Sequence, residues 1–491
     1  MVRALIPAGR WPGHRTPAPG RTLPEVWAGR WAARPDAPVL IDGWEGTRRV
    51  DAATLGARTA AVATALAERG VAPGDRVLWC ARATLPSIEA LLGVLRSGAV
   101  LVPVSPSATG PEIDHVVADA GPVLALCDRE RPDAFSAGPV VMGVDELAAA
   151  AAAAAARTAP GACPIRRPGD DALIVYTSGT TGKPKGAVHT HASLLAGTAA
   201  LLTAWDWAPE DRLVLCLPLF HVHGLCAGLF GTLAAGASAV VFDRFDEGAV
   251  LGAAPSGTMF FGVPTMYHRL AATGEATALA RLRLCVSGSA PLAPDLWHRL
   301  AADGVVVLER YGMTETLLTL SNPLAGERRP GSVGLPLPGV EAAVDDADDS
   351  GIGELLVRGA PLCRGYWGRN DVVSGDWFAT GDLVSVARDG YVTIRGRRTE
   401  LIITGGHNVY PAEVEAVLSR HPGVIEVAVV GAPSAEWGET VVAYVVGDPD
   451  LDSLHELAAA ELAPFKCPRQ VRLIDALPRN ALGKVVRGDL R

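Results

Sequence analysis

The sequence predicts an α/β fold: a large N-terminal domain of doubly wound sheets plus a β-rich subdomain, followed by a small α+β C-terminal domain. Three observations predict it. Amphipathic helical segments alternate with short apolar runs across residues 23–160 and again from Asp171 to about Gly334, the pattern of parallel β/α units. Gly334–Ile394 is richer in strand and turn signals, with GELLVRG and DGYVTIRG. After a charged segment at Gly396–Glu400, residues 401–491 read as strand, helix, strand, strand, helix, strand, enough for a domain of about 90 residues.

The elements follow in order. Ala53–Arg69 is an amphipathic helix closed by Gly70, and Asp75–Cys80 (DRVLWC) is a buried strand. Leu85–Gly98 is a helix and Val100–Val104 a strand. Ala148–Ala156, nine alanines, reads as a surface helix, since alanine is the best helix former. Arg157–Asp170 is loop-like and separates subdomains. The expected division is 1–395, a hinge at 396–400, and 401–491. No internal repeat is present.

Composition excludes several classes. The 491 residues carry a formal net charge of −9, and no basic block stands out, which argues against a nucleic-acid partner. No apolar run is long enough to span a membrane, and Met1–Leu23 is broken by four prolines, which does not suit a signal peptide. The eight cysteines are scattered without a CxxC pair, as expected of buried thiols in a cytoplasmic protein. Only four of the 44 basic residues are lysines: Lys183, Lys185, Lys466 and Lys484. Against that arginine-rich background, each lysine is a candidate for a specific role.

The most informative segment is Tyr176–Gly186, YTSGTTGKPKG. It follows the apolar strand Ala172–Val175 and precedes a helix beginning near His191. Thr177, Ser178, Gly179, Thr180, Thr181 and Gly182 leave little side-chain bulk, so backbone N–H groups and hydroxyls can wrap a polyphosphate, with Lys183 or Lys185 adding charge. It is not a Walker A loop, because Gly179 and Gly182 flank only two residues and Pro184 follows Lys183. SGSAP (Ser287–Pro291) and ERYGMTET (Glu309–Thr316) each follow an apolar strand and are read as strand-to-loop turns on one sheet edge, where doubly wound folds bind ligands.

These motifs, in this order, resemble the adenylate-forming superfamily of acyl-CoA synthetases, luciferases and peptide-synthetase adenylation domains, from about residue 23 to the end. The resemblance implies ATP, Mg²⁺ and coenzyme A as reactants. It places Gly288, Ser289 and Ala290 along the adenine, with Tyr311 stacked on it. Glu309, Arg310, Gly312 and Thr314 belong to the same nucleotide-binding segment. Glu315, with Thr181, would hold the metal. In TGD, Asp382 would bind the ribose, and Arg397 the ribose or phosphate. Gly405, Gly406 and His407 would approach the pantetheine of CoA. Lys484, in PRNALGKVVR, would be the catalytic lysine, and His221, in PLFHVHG, would gate the acyl pocket. Gly396–Glu400 would be the hinge of a mobile C-terminal domain, although Thr399 stands where many members have Asp or Lys.

ERYGMTE, VPTMYHRL and LRLCVSGSAPL resemble the malonyl-CoA synthetase subgroup, which implies malonate or methylmalonate as substrate. A second carboxylate that stays ionised needs a cation, preferably a bidentate arginine. Arg283 is the first choice, because strand alternation puts it on the face of Cys285 and Ser287. Arg269 and Arg310 are alternatives, and Met313 would limit pocket size. Two other readings stay open: ligation of another short-chain or aryl acid, to CoA or a carrier protein, and a nucleotide-binding protein that has lost catalysis. A monomer or weak dimer is expected.

Overall fold

The computed structural model describes residues 4–11, 20–128, 138–157, 166–177, 184–369, 377–434, 436–479 and 485–490. The chain divides into two compact units. The larger holds Ile6–Ala342 and Val357–Phe378; the other holds Ala343–Leu356 and Ala379–Arg491, with the strand Ala4–Leu5.

The larger unit contains two sheets. One has seven strands in the order Gly365–Tyr366, Gly186–Thr190, Asp171–Tyr176, Val100–Pro103, Arg76–Cys80, Leu124–Cys127 and Val140–Gly143. The last five are parallel, as the β/α alternation predicts, and the first two pair antiparallel. The other sheet has nine strands. Its middle runs Val307–Met313, Leu284–Ser287, Met259–Gly262, Arg212–Leu215, Ser238–Val241 and Pro38–Asp42, all parallel, with antiparallel strands at both edges.

Helices Ala52–Glu68 and Leu85–Arg96 lie close to their predicted bounds, and Asp51 and Thr84 cap them through side-chain oxygens. The alanine run falls in the helix Val144–Arg157, a surface helix as expected, with Ala149, Ala152, Ala153, Ala155 and Ala156 exposed. The helix packs on the other two, with Leu147, Ala151 and Ala154 in the core, because methyl side chains let helix backbones approach closely. No helix among the described residues is long and apolar enough to cross a membrane. The seven described cysteines are free thiols, six of them buried.

In the other unit, the strands Val340–Asp345, Gly353–Gly359, Phe378–Val386 and Val392–Arg397 form a sheet with Ala4–Leu5 at its edge. The C-terminal part is a second sheet, dominated by the long hairpin Val424–Ser434 and Gly438–Gly447, with helices Pro411–Leu418 and Leu451–Glu461. The compact unit takes in Ala343–Leu356 and the chain from Ala379 onward, and so includes residues on both sides of Gly396–Glu400. The reason is local. Arg398 Nη1 lies 2.7 Å from Glu354 Oε2, and the Tyr410 hydroxyl donates to Asp348 Oδ2 at 2.9 Å, so chain on both sides of Gly396–Glu400 is tied to one sheet.

Candidate active site

The glycine-threonine loop joins the antiparallel strands Asp171–Tyr176 and Gly186–Thr190, and its ends are closed by Thr177 N–H on the Lys185 carbonyl at 2.9 Å. Ser178, Gly179, Thr180, Thr181, Gly182 and Lys183 lie outside the described residues. The rim is fixed from a neighbouring helix, Gly110–Ala120. Tyr176 donates to Asp119 at 2.6 Å, and His115 Nε2 is 2.8 Å from the Pro184 carbonyl.

ERYGMTET is not a loop after a strand, as the sequence reading had it. Val307–Met313 is itself strand, and it turns through Thr314–Thr316 into the antiparallel strand Leu317–Ser321. Gly312 permits the crossing, since a Cβ there would stand 2.1 Å from the Leu317 carbonyl oxygen. His189 Nε2 is 2.7 Å from the Thr314 carbonyl, which ties this turn to the strand that leaves the glycine-threonine loop. Burial pulls the His189 imidazole down to about 4, so at neutral pH it is an uncharged ring able to donate to that carbonyl.

Glu315 is buried and accepts the Tyr366 hydroxyl at 2.8 Å; the Lys185 ammonium lies 5.2 Å from the centre of the same ring. A carboxylate here is the hard oxygen donor that Mg²⁺ takes, so Glu315 fits a metal-holding role. Tyr366 was not singled out from the sequence; its signal was an aromatic pair set among glycines in RGYWG. Tyr311 and Met313 lie at the end of this strand, two residues apart, the Tyr311 hydroxyl 3.9 Å from the Met313 sulfur.

The same strand carries two charged side chains with different duties. The Glu309 carboxylate accepts the backbone N–H groups of Gly331 at 2.7 Å and Leu292 at 3.3 Å. Those bonds tie two loops to the strand. Burial drives the carboxyl up to about 7, against the opposing pull of the two N–H bonds.

Arg310 is buried, and its Nε and Nη2 have no hydrogen-bond partner among the described residues. Its guanidinium fills the space over Gly288, where a Cβ would stand 2.3 Å from the Arg310 Cζ. Desolvation alone pulls the guanidinium down to about 9. Nearby are two more unpartnered polar groups, the Ser287 hydroxyl and both nitrogens of the buried His223 ring. His223 stacks on Phe261, and His221, beside Phe220, is close enough for its charge to act on His223. HVHG offers two imidazoles, of which the resemblance gives a gating role to His221 only; the second opens the π-helix His223–Phe230 that buries it. Ser289 has φ +72°, a left-handed backbone that turns SGSAP away from the strand.

Arg283 and Arg269 do not join this cluster. Arg283 precedes the strand Leu284–Ser287, at the end opposite Ser287. Its Nε donates to Asp211 Oδ1 at 2.7 Å, a second nitrogen pairs with Oδ2, and Nη1 donates to the Trp205 carbonyl at 2.9 Å. Its charge is answered there, which corrects its assignment to the acyl pocket. Arg269 pairs with Glu247 on an exposed helix face and lies over Phe245.

In the other unit, Asp382 is buried with Arg397 Nε 2.7 Å from its Oδ1. Gly405 and Gly406, at φ +56° and +80°, form a two-residue turn between the paired residues Thr404 and His407. A turn with two left-handed residues asks for glycine whatever ligand it meets. A Cβ on Gly405 would also strike the Trp437 ring at 2.8 Å. His407 stacks on Phe465 with centroids 4.5 Å apart, and the Lys466 ammonium is held by Glu413 at 2.6 and 2.9 Å. Lys484 lies outside the described residues; Arg479 and Val485 on either side of it form an antiparallel bridge.

Comparison with known proteins follows the same map. The AMP-binding enzyme family matches residues 27–367, and the AMP-binding enzyme C-terminal domain matches 413–484. The chain belongs to the AMP-binding enzyme family. It is 35% identical to a malonate–CoA ligase of Arabidopsis thaliana, over 86% of this chain and 78% of that one. It is also 35% identical to a feruloyl-CoA synthase of Amycolatopsis, over 89% and 93%. Among solved structures, ATP-bound MatB from Rhodopseudomonas palustris superposes with a TM-score of 0.88 at 36% identity, covering 96% of this chain and 98% of that one. The chain is an acyl-CoA ligase of this family, with ATP and CoA as its co-substrates.

Proposed function

We propose that the protein joins a small dicarboxylic acid, malonate or methylmalonate, to coenzyme A through an acyl-adenylate. The observation that carries this reading is Arg310: a buried guanidinium with two N–H groups unpartnered among the described residues, beside the Ser287 hydroxyl and near the His223 ring. Leaving a buried charge unanswered costs several kcal/mol, and a carboxylate meeting it in bidentate fashion would offset that cost. A monoacid would bring no second charge to Arg310.

In this reading one substrate carboxylate rests on Arg310 and the other attacks the α-phosphorus of ATP, expelling pyrophosphate. The loop from Thr177 to Lys185 cradles the phosphates, Tyr311 stacks on adenine, and Asp382 takes the ribose hydroxyls, with Arg397 beside it. Glu315 and Thr181 would hold Mg²⁺, which neutralises phosphate oxygens when bound. Lys484 stabilises charge building on the reacting oxygens. The CoA thiolate then attacks the acyl carbonyl and AMP leaves, with the turn at Gly405, Gly406 and His407 facing the pantetheine. Residues beyond the hinge at Gly396–Glu400 would move between the two half-reactions. A soluble, cytoplasmic setting suits the buried thiols.

A second reading, ligation of an aryl acid, draws on the equal identity to the feruloyl-CoA synthase. A panel of malonate, methylmalonate, ferulate and hexanoate with ATP, Mg²⁺ and CoA, read by thioester mass, tests both. Malonate or methylmalonate is expected to give the highest kcat/KM; ferulate in first place would overturn the dicarboxylate reading.

A further inference from the structure

The segment Cys363–Trp367 is a short strap laid across two parts of the candidate active site. Gly365–Tyr366 pairs antiparallel with Gly186–Thr190, the strand that leaves the glycine-threonine loop, with Gly365 opposite Val188 and Tyr366 opposite Ala187. Arg364 N–H donates to the Val188 carbonyl at 2.9 Å and Trp367 N–H to the Gly186 carbonyl at 2.8 Å. The Arg364 guanidinium meets both oxygens of Asp171, at 2.6 and 2.8 Å, on the strand that enters the loop. The strap is therefore fastened to the strands on both sides of the phosphate-binding motif.

The same strap reaches the Glu315 turn. Cys363 N–H donates to the Glu315 carbonyl at 2.7 Å, and the Tyr366 hydroxyl donates to its carboxylate Oε1 at 2.8 Å. Main chain and side chain of one residue are thus held from one short stretch, and His189 holds the preceding carbonyl, that of Thr314. The Lys185 ammonium stands 5.2 Å from the centre of the Tyr366 ring, within reach of cation–π attraction. One phenol touches a lysine of the glycine-threonine motif through its ring and a buried carboxylate through its hydroxyl. Among the described residues no lysine or arginine pairs with that carboxylate. A buried carboxylate in that condition is a place for a cation.

We infer that Tyr366 is a positioning residue for the metal of the ATP half-reaction, acting through Glu315. The inference rests on the reading that Glu315 holds Mg²⁺. Donation to Oε1 fixes the rotation of the carboxylate and leaves the second oxygen for the ion. Without the hydroxyl, that side chain has rotamer freedom to lose when the ion binds. Groups that hydrogen-bond a metal's ligands commonly set its affinity by about tenfold to a hundredfold. Because the strap also pairs with the strand leaving the loop, the carboxylate's place relative to the foot of the phosphate cradle is set by backbone bonds.

The test is Mn²⁺ binding to the full chain in the presence of α,β-methylene-ATP, with protein in excess over nucleotide, read by the electron paramagnetic resonance of free Mn²⁺. It uses wild type, Tyr366→Phe, Glu315→Gln and the double variant, with metal-free AMP binding measured on each by calorimetry. Phenylalanine keeps the ring and the backbone pairing, so only the hydroxyl is lost. The Mn²⁺ dissociation constant should rise about tenfold in Tyr366→Phe and at least as far in Glu315→Gln. The double variant should match Glu315→Gln, because the hydroxyl acts only through the carboxylate. AMP should bind within about twofold of wild type throughout, the scatter of sites that do not couple. Tyr366→Phe within about twofold of wild type, beside a weakened Glu315→Gln, overturns the positioning role and leaves Glu315 as the metal holder. Unchanged Mn²⁺ affinity in Glu315→Gln removes the metal reading itself, and the inference with it. Losses that add in the double variant, or AMP affinity that falls as far as Mn²⁺ affinity in Tyr366→Phe, also overturn it, since the hydroxyl would then act on the fold at large.

Discussion

Arg283 and Arg310 belong to neighbouring parallel strands, one just before the start of its strand and the other at the middle of its own. Arg283 is met by both oxygens of Asp211 and by the carbonyls of Trp205 and Asp206. Arg310 is more deeply buried, yet two of its N–H groups have no partner among the described residues. An arginine answered by its own carboxylate fastens the fold. One held in an apolar wall without an answer is a place for something the chain does not supply.

The largest expected effect breaks the contrast at Arg310. Arg310→Gln should lower malonate kcat/KM by about a thousandfold, the scale of a lost buried ion pair, and leave a monoacid such as hexanoate within about tenfold. Steady-state kinetics on both acids decide it, and equal losses would return Arg310 to a general structural role. Breaking the other side should do the reverse. Asp211→Asn leaves Arg283 half-buried without its counter-charge, so stability should fall by about 3 kcal/mol in urea unfolding while the malonate-to-hexanoate preference holds. A change in preference would show that the two ends of the strands are not separate in function.

The smallest effect concerns Glu309, which shares its strand with Arg310. Its carboxyl sits at about 7 in the folded chain, above the usual value of 4.5. The unfolded chain therefore releases this proton first, and the group withdraws stability as pH rises from 4.5 through about 7. Function should run the other way. Above pH 7 the carboxylate accepts both Leu292 and Gly331 N–H groups, and below it the protonated oxygen is a poor acceptor. The KM for ATP in wild type should rise a few-fold, on the order of the loss of one hydrogen bond, as pH falls from 8 to 6. Glu309→Gln should show the higher KM throughout with a flat profile; an unchanged slope would remove Glu309 from that role.

Much of this was legible before any coordinates. Hydrophobic periodicity located the β/α units, and the composition of Thr177–Gly182 pointed to phosphate. The choice of arginine was not legible, for a definite reason. Alternation along a strand tells which face a residue shares, so Arg283 was rightly grouped with Cys285 and Ser287. It says nothing of which end of the strand a side chain stands at, and across four residues the two ends are more than 10 Å apart, at about 3.3 Å each. The partner that decides the matter, Asp211, is 72 residues away in sequence. Gly288 held the better clue, because the parallel register sets Ser287 opposite Glu309 and so brings Gly288 beside Arg310. Gly405 and Gly406 form a two-residue hairpin turn, which is reason enough for both glycines whatever they meet.

The fastening around Gly396–Glu400 bears on timing. For the chain beyond Glu400 to turn as a body, the Tyr410–Asp348 hydrogen bond must part, and Arg398 must release Glu354 if it travels too. One hydrogen bond and one largely exposed ion pair are together worth about 2 kcal/mol. That corresponds to a dwell of about thirtyfold in favour of the fastened arrangement. A hinge there would act as a detent rather than a free swivel: it would rest, release and rest again, and the order of the two half-reactions would be kept by that pause as much as by the chemistry on either side of it.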